Sequence, residues 1–206
     1  MNPIERLVDT PQGEGRLLTY RSRRPVATVV LSHGAGGGVE SGDLQALAAA
    51  LPREGVTVVL FEQPWRRAGR SVATAPATLD LALRAATDQL RVRTPLILGG
   101  RSAGARSAAR TARRLGASGC LALSFPLHPP GRPEKSRVSE LLDVGLPTLV
   151  VQGENDPFGR PEEFPESVDL CVVPLADHAL KVRRSATLSQ DEAFGIVVEC
   201  VLEWMV

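Results

Sequence analysis

Short, β-branched apolar runs recur along this chain, separated by segments whose apolar residues return every three or four positions. That alternation restricts the fold more than any other feature. Val26–Ser32, Val56–Phe61, Leu96–Gly99, Gly119–Ser124, Pro147–Gln152 and Val168–Val173 read as strands, too short for helices and apolar enough to be covered on both faces. Asp43–Arg53, Thr78–Leu90 and Ala103–Leu115 read as helices. Leu79, Ala82, Leu83, Ala86 and Leu90 share one face of the second, and Ala105, Ala108, Ala109 and Ala112 one side of the third. Ser136–Val144 predicts a short helix and Pro161–Glu166 a helical turn. Ser189 and Glu192 form a capping box, followed by Ala193, Ile196, Val197, Cys200, Val201 and Trp204 at helical spacing. Arg16–Ser22 adds an edge strand, and the polar residues 1–13 are expected to form a loose segment ahead of a domain at 14–206. Neither a repeat nor a linker divides the chain. The expectation is an α/β fold: one doubly wound, mostly parallel sheet with helices on both faces.

In such sheets ligands bind beyond the carboxyl ends of the strands. Those ends carry chemistry. Gly99-Gly100-Arg101-Ser102-Ala103-Gly104 follows one strand and opens a helix. The pattern Gly100-x-Ser102-x-Gly104 is that of a nucleophile elbow, where crowding forbids side chains at the flanking positions and the turn thrusts a serine oxygen outward. Two other readings of the glycines fail. A phosphate loop needs a lysine before its Ser/Thr, and none lies near Ser102. A dinucleotide fingerprint begins at Gly34-Ala35-Gly36 but meets Val39 where its last glycine belongs. His33-Gly34-Ala35-Gly36-Gly37 reads better as an oxyanion loop, with the backbone N–H groups of Ala35 and Ala103 as donors.

Asp156 follows a later strand end, and His178 the one after it, so serine, acid and histidine occur in that order. Glu154 is the nearest rival to Asp156, and Asp177 is too close in sequence to His178 to orient its ring. His33, Gly34, Trp65, Arg67, Arg101 and His128 also lie at strand ends and are expected to contact the substrate. His33 has a second reading, holding its loop by hydrogen bonds, and Arg101 either lines the pocket or braces the turn. Arg66, Arg67 and Arg70 together could favour an anionic acyl group, against the simpler reading of a solvated surface.

Charge and cysteines limit the partners. The formal net charge of +1 points neither to nucleic acid nor to an anionic membrane, and no apolar run is long enough to span a bilayer. Cys120, Cys171 and Cys200 lie far apart within apolar runs and show no metal spacing. They are expected to be buried, reduced thiols, as suits a cytoplasmic protein. The opening residues MNPIERLVDT carry charges where a signal peptide needs an apolar core, so secretion is not expected.

Taken together, these residues resemble the α/β-hydrolase superfamily, and more narrowly its small, lidless members related to dienelactone hydrolases. The likeness extends to a family shared by bacterial predicted hydrolases, an animal testis-expressed protein and a subunit of an animal chromatin-acetylation complex. Leu31–Gly38, Phe61–Arg67, Gly99–Gly104, Phe125–Pro133 and Gln152–Gly159 carry it, and the run FPLHPPGRPEK is its most specific part. The resemblance implies that His128 and its prolines shape the pocket rim. Dienelactone hydrolases use a cysteine where Ser102 stands, so their lactone activity does not carry over. The expected function is a serine hydrolase cleaving an ester or thioester of a small-molecule acyl substrate, without metal or cofactor and without a large lid. The alternative is a hydrolase-like scaffold that binds a ligand or partner without turnover; a peptidase fits less well. The sequence does not specify an oligomeric state.

Overall fold

β-branched and leucine-rich runs pair best where both faces of a strand are covered, and that is where this chain puts them. A computed structural model describes residues 2–205. Its strands are β1 (Ile4–Thr10), β2 (Gly13–Tyr20), β3 (Ala27–Ser32), β4 (Val56–Glu62), β5 (Leu96–Arg101), β6 (Gly119–Leu123), β7 (Thr148–Gly153) and β8 (Asp169–Val173). They form one eight-stranded sheet in the order β1-β2-β4-β3-β5-β6-β7-β8. β1 and β2 run antiparallel, β2 and β4 likewise, and every later pairing is parallel. The register brings the carboxyl ends of the parallel strands level: Ser32 opposes Gly100, Arg101 opposes Leu123 and Gly153 opposes Val173.

The helices are α1 (Gly42–Ala50), α2 (Pro64–Arg67), α3 (Pro76–Asp88), α4 (Ala103–Thr111), α5 (Val138–Leu142) and α6 (Gln190–Met205). Alternation along each central strand divides the core into two layers. Val29, Leu31, Leu60 and Leu121 face α1 and α6, meeting Leu44, Leu47, Val197 and Val201. Val30, Val59, Leu98 and Cys120 face α3 and α4, meeting Leu83, Ala86, Ala105 and Ala108. The alanine face of α4 lets that helix lie close to the sheet. Each fully buried leucine or valine contributes on the order of 2 kcal/mol. No helix among the described residues is long and apolar enough to cross a membrane.

Two expectations are corrected. Residues expected to form a loose N-terminal segment instead include β1, paired along its length with β2. Only Val8 of β1 is buried, so the strand has no apolar alternation to betray it; backbone pairing and hydrogen bonds exchanged with Gln89 (Arg6 Nη2 to Gln89 O, 2.8 Å; Gln89 Nε2 to Asp9 O, 2.8 Å) hold it. Cys171 and Cys200 are not reduced thiols: they form a disulfide joining β8 to α6, with Cα atoms 6.3 Å apart. Their separation in sequence concealed that α6 packs back over β8. Cys120 alone is free, and burial pushes its thiol up to about 12.

Candidate active site

Ser102 stands between the end of β5 and the first residue of α4, at φ 53° and ψ −112°. For a residue with a Cβ this conformation costs roughly 1–3 kcal/mol. The neighbouring backbone enforces it. Ser102 N donates to Leu123 O at 2.9 Å. A Cβ on Gly100 would come 2.5 Å from Ser32 O and 2.7 Å from the carbonyl carbon of Gly104, while one on Gly104 would strike the Ser32 backbone. The two glycines are thus required by close approach of β3 and α4 to the turn. Three further non-glycine residues with positive φ, Ser124, Leu175 and Leu180, lie in the loops at this same end of the sheet.

The turn aims Ser102 Oγ at His178 Nε2, 2.9 Å away. His178 Nδ1 lies 2.7 Å from Asp156 Oδ2. Asp156 is fully buried, and Phe158 N donates to its Oδ1 at 2.8 Å. Gln152 Nε2 donates to Asp156 Oδ2 at 2.8 Å and to Gly159 O at 2.8 Å. A carboxylate receiving donors at both oxygens stays oriented toward the imidazole. The Phe158 ring stacks on His178, centroids 4.1 Å apart. Glu154 is occupied elsewhere, accepting from Leu175 N at 2.6 Å. Asp177 Oδ1 accepts from Ala179 N and Lys181 N, which shapes the histidine's loop without touching its ring. That loop also packs against β7: a Cβ on Gly153 would come 2.5 Å from Asp177 O.

The loop after β3 abuts the elbow, since a Cβ on Gly34 would lie 3.2 Å from Ser102 Cβ. Ala103 opens α4, so its N–H has no partner within the helix, and Ala35 N forms no hydrogen bond among the described residues.

Four residues expected at the substrate are instead seen engaged with the protein itself. His33 is 2% exposed, and both ring nitrogens are engaged: Nδ1–H donates to Gly34 O (2.9 Å) and Nε2 accepts from Gln63 N (3.0 Å). Burial lowers its pKa, in keeping with a neutral ring. Trp65 is buried with its ring 5.3 Å from that of His33. Arg67 pairs with Glu14 on β2, as Arg66 does with Glu40, so both are spent on surface ion pairs. His128 lies 2.9 Å from Pro129 O through Nδ1 and 2.7 Å from Glu163 Oε2 through Nε2, and its backbone N donates to Phe158 O. It thereby braces the loop that carries Phe158. Arg101 Nη2 donates to His178 O at 2.8 Å, so of the two readings the bracing one describes its contact.

Gln152, Phe158, Gln63 and Asp43 escaped the sequence reading. A glutamine closing an otherwise apolar strand was a usable signal for the first; the other three depend on how loops return. Among the described residues no group of three or more His, Cys, Asp or Glu side chains is placed to hold a metal ion. The arrangement can accept a proton from a serine hydroxyl and hold the resulting imidazolium.

The family model described as an alpha/beta hydrolase domain matches residues 25–206. A serine hydrolase without a lid from Xanthomonas campestris superposes with a TM-score of 0.75 at 22% identity, over 99% of this chain and 95% of that one. A serine hydrolase homologue from Coxiella burnetii gives 0.75 at 18% identity, covering 97% of each chain. A dienelactone hydrolase from Anabaena variabilis gives 0.72 at 21% identity, over 100% of this chain and 98% of that one. No curated protein matches the chain in sequence.

Proposed function

The chain belongs to the α/β-hydrolase family, and from that premise we propose that it is a serine hydrolase acting on an ester or thioester of a small acyl group. The observation that carries the reading is the contact series Ser102 Oγ–His178 Nε2–Asp156, 2.9 and 2.7 Å, set on a strained strand-to-helix turn. In this reading Ser102 Oγ attacks the acyl carbon as His178 Nε2 takes its proton. Asp156 holds the imidazole in the Nδ1–H tautomer and stabilises the imidazolium. The N–H groups of Ala35 and Ala103 receive the developing oxyanion, each worth about 3–4 kcal/mol in the transition state. His178 then protonates the leaving alcohol or thiol, and water, deprotonated by the same imidazole, releases the acid. No step calls on a metal or cofactor.

A fluorophosphonate probe together with a panel of short-chain p-nitrophenyl esters and acyl thioesters tests this. Stoichiometric labelling at Ser102, abolished in Ser102→Ala along with turnover, is the expected result. Intact protein that takes no label, or a Ser102→Ala variant that labels as well as wild type, would replace this reading with a scaffold that binds without turnover.

A further inference from the structure

One side chain joins three parts of the site. Arg101 is the last residue of β5, and its side chain is only 11% exposed. Its Nη2 donates to the main-chain carbonyl of His178 at 2.8 Å. Its Nε lies 3.0 Å from Asp43 Oδ2, a charge contact in which neither atom gains a hydrogen bond. Its Nη1 lies under the oxyanion loop, 3.2 Å from where a Cβ on Gly34 would stand. Asp43 is 1% exposed in the first turn of α1, where the helix dipole favours a carboxylate and Leu44 N donates to its Oδ1 at 2.9 Å. The guanidinium therefore contacts the histidine's loop and the helix that follows the oxyanion loop, and lies near that loop, while its backbone is continuous with Ser102.

A buried ion pair is a costly way to obtain stability alone. Apolar residues of similar volume often serve as well or better, whereas loss of one partner is strongly destabilising. At Asp43 burial outweighs Arg101 and raises the carboxyl's pKa, so the pair is held against its desolvation. A planar fork can reach a carbonyl and a carboxylate at once; an ammonium is a single point charge.

We propose that Arg101, seated by Asp43, positions the base: it fixes the main chain of His178 relative to the elbow and so sets the Ser102–His178 approach. This rests on the hydrolase reading above. Arg101 is a positioning residue, because its contacts are to protein and none is to the reacting atoms.

The test compares wild type with Arg101→Lys and with the double variant Arg101→Met/Asp43→Leu. Three quantities are read: melting temperature, kcat and KM on the best ester, and the downfield proton resonance of the His178 Nδ1–H bonded to Asp156. In Arg101→Lys, kcat is expected to fall about 10- to 100-fold with KM within about twofold, since small misplacement of a catalytic group costs that much. The apolar pair is expected to melt near wild type yet to keep the low kcat and a lost or broadened resonance. Recovery of both stability and kcat by the apolar pair would make Arg101 merely structural and overturn the proposal, as would an unchanged kcat in Arg101→Lys. If wild type neither labels nor turns over, the hydrolase reading falls. The resonance still decides the positioning: retained unchanged in folded variants, it refutes it.

Discussion

Ser102 owes its backbone angle to what lies beneath it. The backbones of Ser32, His33 and Gly104 leave no room for a Cβ at positions 100 and 104, and Leu123 O holds Ser102 N. Replacing Gly104 by alanine is expected to cost more than about 3 kcal/mol, through backbone displacement at the centre of the sheet, and to leave little folded protein; soluble yield and urea midpoint measure this. Gln152 makes a quieter contribution. Gln152→Leu strips a donor from Asp156 and from Gly159 O, both inside the protein. Asp156 keeps His178 Nδ1 and Phe158 N, but Gly159 O is left without a donor, and the change is expected to cost about 1–3 kcal/mol and to slow labelling at Ser102. The Gly-x-Ser-x-Gly spacing was readable because sterics tie it to one kind of turn. Order did not separate Glu154 from Asp156, since both lie between Ser102 and His178. In space the choice turns on two residues of loop, which send one carboxylate to Leu175 N and the other to His178.

Elements divide into those whose periodicity spoke for them and those held by contacts that leave no periodicity. β3 to β7, α3, α4 and α6 were legible because each buries a stripe or a whole run; β8 buries only Val173 and was legible from its apolar composition. β1 buries one side chain and was not. The loops of the site were the least legible. His33, Trp65 and His128 sit at strand ends, as a substrate-binding residue should, yet each turns inward to hold a loop. The loop after β6 supplies a pH prediction. His128 is 6% exposed and its two nitrogens both face acceptors, Pro129 O and Glu163 Oε2, which only an imidazolium satisfies with two donors. The backbone bond to Pro129, then Glu163, raises its pKa. A group with a raised folded pKa stabilises fully below its unfolded value, near 6.5, and loses that contribution as pH rises through the folded value. Urea midpoints are therefore expected to decline from about pH 6.5 upward, and His128→Gln to flatten that limb. A midpoint in wild type that is level from pH 6 to 9 would refute this.

At the scale of the molecule, the carboxyl edge of the sheet gathers segments that are remote in sequence. The turn bearing Ser102 comes from β5, the glycine-rich loop from β3, Asp156 from after β7 and His178 from beyond β8. The rhythm of strands and helices made that gathering predictable, because parallel crossovers leave every such end on one side. The disulfide was not predictable, since two apolar positions 29 residues apart carry no mark of pairing. Its place in the chain makes it informative: Cys171 and Cys200 enclose the whole segment that bears His178. Closing a loop of that length stabilises by about 3–4 kcal/mol on the chain-entropy account. Within the folded state, however, the His178 loop has its own anchors: the Asp177 turn, buried Leu180, and the Arg101 bond to His178 O. Global stability and site geometry should then separate. Cys200→Ser, or reduction of wild type, is expected to lower the urea midpoint by an amount matching several kcal/mol. At 25 °C and without denaturant, the rate of fluorophosphonate labelling should stay within about twofold. Comparable loss in both measurements would mean that the crosslink, and not the packed loop, holds His178 in place.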